Sequence, residues 1–78
     1  MHRVLLYSRP GCHLCDEARD AIGEVRRRFD FEFDEVDIEG DDDLVREYGI
    51  RIPVVTFDGV EEFEISVDRG RLAELVRM

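Results

Sequence analysis

Cys12 and Cys15 are the residues in this chain best suited to do chemistry. They stand three apart, with His13 and Leu14 between them. That step places both sulfurs on one face of a helix, close enough to bond. Two chemistries use such a pair, thiol–disulfide exchange and metal binding. A structural zinc site takes four ligands, and one Cys-x-x-Cys supplies two. His2 sits at the start of the first expected strand, roughly 20 Å from the cysteines beyond its other end. A metal would therefore have to be shared between two chains. As a staple the pair closes too short a loop to restrain the unfolded chain much. Redox exchange is the expected role.

Thiolate chemistry needs a particular setting. The run Val4-Leu5-Leu6-Tyr7 reads as a buried strand over Arg3 to Ser8. Pro10-Gly11 ends it. Cys15, Ala18, Ile22, Val25 and Phe29 then recur at helical steps, which predicts a helix from Cys12 to Arg28. The cysteines thus fall at a helix N-terminus, where free N–H groups and the helix dipole favour a thiolate. Cys12, at the cap, is the expected nucleophile. Cys15, on the apolar stripe, is the expected resolving thiol. Arg9 and a protonated His13 would favour the Cys12 thiolate, and Asp16 and Glu17 oppose it. The other reading of His13 is a solvated residue with no such duty.

The remaining elements follow from pattern. A strand is expected over 31 to 37, with a bulge or early exit near Glu35 where the alternation changes phase. Gly40 to Asp43 offers a turn and helix caps. Leu44, Val45 and Tyr48 fit a short helix, with Gly49 as its C-cap. Val54 to Phe57 reads as a strand, Asp58-Gly59 as a hairpin turn, and Phe63 to Ser66 as the returning strand. Asp68 caps a last helix whose inner face carries Leu72, Leu75 and Val76. The order βαβαββα makes an α/β domain over 1–78, with a four-stranded mixed sheet and helices on both faces.

The 20 acidic and 11 basic residues give a net charge of −9, which argues against nucleic acid as a partner. An acidic surface serves solubility, or steers the chain toward a basic partner; the sequence leaves both open. No stretch reaches the length of a membrane span, and no secretory signal is evident. The expected setting is the cytoplasm, where a cysteine pair is kept reduced and serves catalysis or metal binding. A monomer is the default.

Pro53 lies just before a strand. It is either a strand-start proline or a cis proline facing the cysteines. In the second case Ile52 would offer its backbone to an extended substrate.

Tyr7-Ser8-Arg9-Pro10-Gly11-Cys12-His13-Leu14-Cys15 and Tyr48-Gly49-Ile50-Arg51-Ile52-Pro53-Val54 together resemble the glutaredoxin-like members of the thioredoxin superfamily. The resemblance implies the thioredoxin fold, a nucleophilic Cys12, a resolving Cys15 and a cis Pro53 beside them. It implies disulfide substrates, protein or small, with reduction by a flavoprotein reductase or by glutathione as co-substrate, and no bound cofactor. It also implies a glutathione groove, to which Arg9, His13, Arg51, Ile52 and Asp68 would contribute. Arg51-Ile52-Pro53 stands where glutaredoxins carry Thr-Val-Pro. Ile65-Ser66-Val67-Asp68 keeps an Asp but not the pair of glycines. The alternative to a redox enzyme is an adaptor of the same fold with idle thiols.

Overall fold

The computed structural model describes residues 1–77. Strand β1, Arg3–Ser8, alternates strictly: Val4, Leu6 and Ser8 are buried, and the residues between them are less so. Helix α1, His13–Arg26, buries Cys15, Ala18, Ala21, Ile22 and Val25 along one stripe. That stripe covers Val4 and Leu6. Strand β2, Glu32–Asp37, pairs parallel with β1. A helical crossover between two parallel strands is what the βαβ pattern demands.

The chain continues through helix α2 (Asp42–Tyr48), strands β3 (Val54–Phe57) and β4 (Val60–Glu64), and helix α3 (Arg69–Arg77). The sheet order is β2-β1-β3-β4, with β3 antiparallel to both neighbours. β3 is buried along its whole length, as a central β-branched strand should be. Leu72 and Leu75 of α3 join α1 over the Leu6 face. Tyr48 of α2 stacks on Tyr7 on the opposite face, ring centroids 4.2 Å apart. Helices therefore cover both faces of a four-stranded mixed sheet, as expected.

Several boundaries differ from expectation. α1 begins one residue later, because Cys12 is its cap, and ends at Arg26, where the chain turns off through Val25 carbonyl contacts from Arg28 and Phe29. β2 has no bulge at Glu35; its register with β1 runs unbroken from Glu32 to Asp37. The change of phase has another cause. Glu35 sits opposite Leu6 on the helix-covered face and is held there by Arg19 of α1 and by the buried Ser8 hydroxyl, which donates to it at 2.6 Å. The carboxylate lies on the α1 side of the sheet, at its solvent-exposed margin, because it has partners there. The irregularity falls in β4 instead, between the partners of Val55 and Thr56, where Glu62 is the extra residue. β4 also starts earlier than expected and ends at Glu64. Both turn residues before it, Asp58 and Gly59, have positive φ (51° and 85°), so the strand resumes at once.

Gly49 does end α2, but in right-handed conformation (φ −51°). Glycine is needed there for space: a Cβ would lie 2.5 Å from the Val45 carbonyl oxygen.

The Arg19 guanidinium bridges Glu35 and Asp16, and its pKa is raised, first by Glu35 and then by Asp16. Arg19 in turn holds the Glu35 carboxyl below its usual range, aided by Ser8 and opposed by burial. A depressed carboxylate stabilises the fold fully above its unfolded pKa, about 4.3, and loses that contribution as pH falls through the folded value. Glu35→Gln should therefore be less stable than the parent by ~0.5–1 kcal/mol at pH 6, a value discounted for the pair's partial exposure. The gap should narrow as the pH falls below the unfolded value and through the lower folded one. Urea unfolding across this pH range checks this; a gap independent of pH would refute the assignment.

Candidate active site

The site is built at the end of the sheet where β1 finishes. Pro10-Gly11 turns the chain, and Gly11 takes φ +76°, a conformation other residues resist. This brings Cys12 to the N-cap of α1 in extended geometry. Its Sγ accepts the Cys15 N–H at 3.2 Å, and its carbonyl accepts the Asp16 N–H. A sulfur thus takes the place usually held by a Ser or Asp oxygen. Cys12 and Cys15 are joined as a disulfide, with Cα atoms 5.2 Å apart. Cys12 is half-buried, and Cys15 is fully buried at 0% exposure. One sulfur can be reached from solvent and the other cannot.

The second wall comes from the segment before β3. Tyr7 pairs with Val54, so Pro53 lies at the same end of the sheet as Ser8 and the cysteine turn. The Ile52–Pro53 peptide is cis, and Pro53 is buried. The Ile65 N–H reaches the carbonyls of Arg51 and Pro53. Ile65 in turn shares a groove with Leu14, the residue between the cysteines. Leu14 of the cysteine turn and the turn after β4 therefore share one groove, and the Ile65 N–H ties that turn to the cis-proline segment.

The other expected site residues are dispersed. Arg9 lines a pocket with Asp16, Arg19, Glu35 and Asp37, and its Nε is buried without a hydrogen-bond partner. Arg51 lies in a different pocket, gripped by Glu61 at 3.0 Å and Glu64 at 3.3 Å, and it donates to the Glu47 carbonyl. These carboxylates raise the Arg51 pKa, and Arg51 lowers that of Glu61. The two arginines do not converge on one ligand. His13 is exposed and sits 3.6 Å from the Glu17 carboxylate. Asp68 caps α3, accepting the Arg71 N–H at 3.1 Å. Ile52 is half-buried.

Two residues of the groove escape a reading of the sequence. Leu14 is 44% exposed; the one signal for it is that it falls off the apolar stripe of α1. Ile65 has φ +72°, a left-handed conformation that is strained for a β-branched residue. No sequence signal marks it, since isoleucine reads as strand. It opens Ile65-Ser66-Val67-Asp68, the segment that lacks the glycine pair of the resembled family.

The fold and this site define a thioredoxin-fold protein with a CxxC-spaced cysteine pair at disulfide distance. Residues 3–77 match the family model of the glutaredoxin-like domain (DUF836), and the chain belongs to that family. It is 32% identical to an uncharacterized protein of Mycobacterium tuberculosis, over 96% of this chain and 84% of the relative. A crystal structure of a structural-genomics target protein from X. campestris is 34% identical, with a TM-score of 0.79 and 95% of each chain covered. The solution structure of a protein from Nitrosomonas europaea is 26% identical, with a TM-score of 0.82, covering 96% of this chain and 91% of that one. A thioredoxin from Halobacterium salinarum, 18% identical with a TM-score of 0.69, shares the fold.

Two outcomes follow. In the reduced protein, the Cys15 N–H and the start of α1 favour the Cys12 thiolate. Cys12 should therefore titrate below the ordinary thiol value of about 8.5, as read from thiolate absorbance against pH in the Cys15→Ser protein. Ile65→Gly should relieve the left-handed strain and raise stability by about 1 kcal/mol in urea unfolding, the gain remaining after glycine's extra unfolded-state entropy. A loss would mean that the Ile65 side chain contributes more than its backbone costs.

Proposed function

We propose that this protein is a thiol–disulfide oxidoreductase that reduces disulfides, or carries electrons to them, in the cytoplasm as a monomer. The observation that supports it most is the unequal pair: an accessible Cys12 at the helix cap and a fully buried Cys15 bonded to it. Such asymmetry suits a nucleophile and a resolving thiol.

The chemistry is a sequence of two exchanges. The Cys12 thiolate attacks one sulfur of the substrate disulfide. A mixed disulfide forms, and the departing thiolate takes a proton from solvent. Cys15 then loses its proton and attacks Cys12 Sγ. The Cys12–Cys15 bond forms as the mixed disulfide breaks, and the second substrate thiol leaves with a proton. Two electrons and two protons pass from the dithiol to the substrate. A thiol donor, either glutathione or a flavoprotein reductase, returns the pair to its reduced form. In this reading Ile52, beside the cis Pro53, lends its backbone to an extended substrate chain.

The test is turnover of a protein disulfide with dithiothreitol as donor. Cys12→Ser should reduce the rate to background. Cys15→Ser should accumulate mixed disulfides, visible as mass adducts that dithiothreitol removes. Turnover that neither substitution changes would defeat the proposal and favour an adaptor role. The potential of the pair then separates a reductant, near about −270 mV, from an oxidant, near about −120 mV.

A further inference from the structure

Among the described residues, five large apolar side chains are exposed: Met1, Leu14, Ile50, Val60 and Ile65. Two of them, Leu14 and Ile65, line one groove beside the cysteine turn. Leu14 lies between the cysteines. Ile65, 43% exposed, follows β4. Isolated exposed apolar residues need no explanation, but two in one groove beside a reactive centre mark a contact surface. The strain at Ile65 points the same way. Glycine would fit that backbone without strain, yet this chain places a large apolar side chain there, in the open.

The groove between α1 and the turn after β4 brings Leu14 and Ile65 together with Glu17 and Asp20. Its one cation, Arg69, is already bound by Glu24. Glu17 has only His13 at 3.6 Å, which is charged only if protonated. Asp20 forms no ion pair among the described residues. On the other side of the cis-proline segment, Arg51 is outnumbered by Glu47, Glu61 and Glu64. The groove is therefore apolar at its centre with unpaired acids along its α1 side, on a chain of net charge −9; Arg9, on the other flank of the cysteine turn, lies outside this groove.

We propose that this groove takes a partner protein whose disulfide is flanked by apolar and basic residues, and that it discriminates against anionic disulfides. The inference rests on the redox reading above and specifies its substrate class. Leu14 and Ile65 meet the apolar residues beside the substrate cysteine. Glu17 and Asp20 meet its arginine or lysine neighbours. Opposite charge speeds encounter, and like charge slows it, in a manner that salt screens. A disulfide of glutathione, which carries free carboxylates, meets like charge at Glu17 and Asp20 and finds Arg51 occupied.

The test uses the reduced full chain with dithiothreitol as donor. The substrates are peptide disulfides of one length, each with leucine beside the cysteine and flanked by Arg, Gln or Glu, together with uncharged hydroxyethyl disulfide. Each rate is divided by that of dithiothreitol alone, which removes differences in intrinsic disulfide reactivity. At low salt the Arg peptide should exceed the Glu peptide by tenfold or more in kcat/KM, a modest share of the range that steering spans. The ratio should shrink toward one in 0.5 M salt. The double variant Glu17→Gln, Asp20→Asn should lower it at least threefold. Reduction of all the disulfides at rates within twofold of one another, including hydroxyethyl disulfide, overturns this inference alone. Failure to reduce any of them overturns the redox reading, and this inference with it.

Discussion

The cysteine end of the molecule depends on one hydrogen bond, from the Cys15 N–H to Cys12 Sγ. A helix start has N–H groups without partners. Most proteins satisfy them with a hydroxyl or carboxylate. Here a sulfur does so, and the cap becomes the reactive atom. The same geometry fixes the exposure of the pair. An N-cap residue lies outside the helix, and the residue three positions on lies on its first turn. With the apolar stripe of α1 facing Leu6, Cys15 must be inside and Cys12 at the edge. Strand β1, the glycine at 11 and the helix all serve that placement.

A second theme is internal neutralisation. Arg19 is shared by Asp16 and Glu35, Arg51 by Glu61 and Glu64, and Arg69 is held by Glu24. Of the two arginines that a reading of the sequence offers to a ligand, Arg51 is already committed to the chain's own carboxylates, while the Arg9 Nε has no partner among the described residues. Exposed pairs of this kind add little stability. Their effect is on what the surface presents: cations become fixed and screened, and surplus acids stay free.

Much of this was legible beforehand. The order of elements, the parallel βαβ unit and the hairpin follow from periodicity and turn residues, because local pattern and tertiary structure agree there. The cysteine pair was legible for the same reason: the strand before it and the helix after it are both strongly patterned. Glu35 was misread as a sign of a bulge. Its place on the α1 side of the sheet depends on Arg19 and Ser8, distant in sequence, and alternation alone carries no such information. The true irregularity at Glu62 hides in a run of acids that has no pattern to break. Arg51 reads as a free cation until β4 is placed beside it. Ile65 is the least legible of all, since its conformation is imposed by the carbonyls of Arg51 and Pro53 against its own preference.

The sheet has two open margins, β2 and β4. Unpaired strand margins invite another copy to add itself to the sheet. β2 carries Glu32, Asp34, Glu35 and Asp37, and β4 carries Glu61, Glu62 and Glu64, with an irregularity that interrupts its ladder. Two copies meeting margin to margin would set one row of carboxylates against another. The acidity beside the cysteine groove thus recurs along both rims of the sheet, where charge disfavours edge pairing. The backbone donors and acceptors along both rims stay open to a strand of opposite charge.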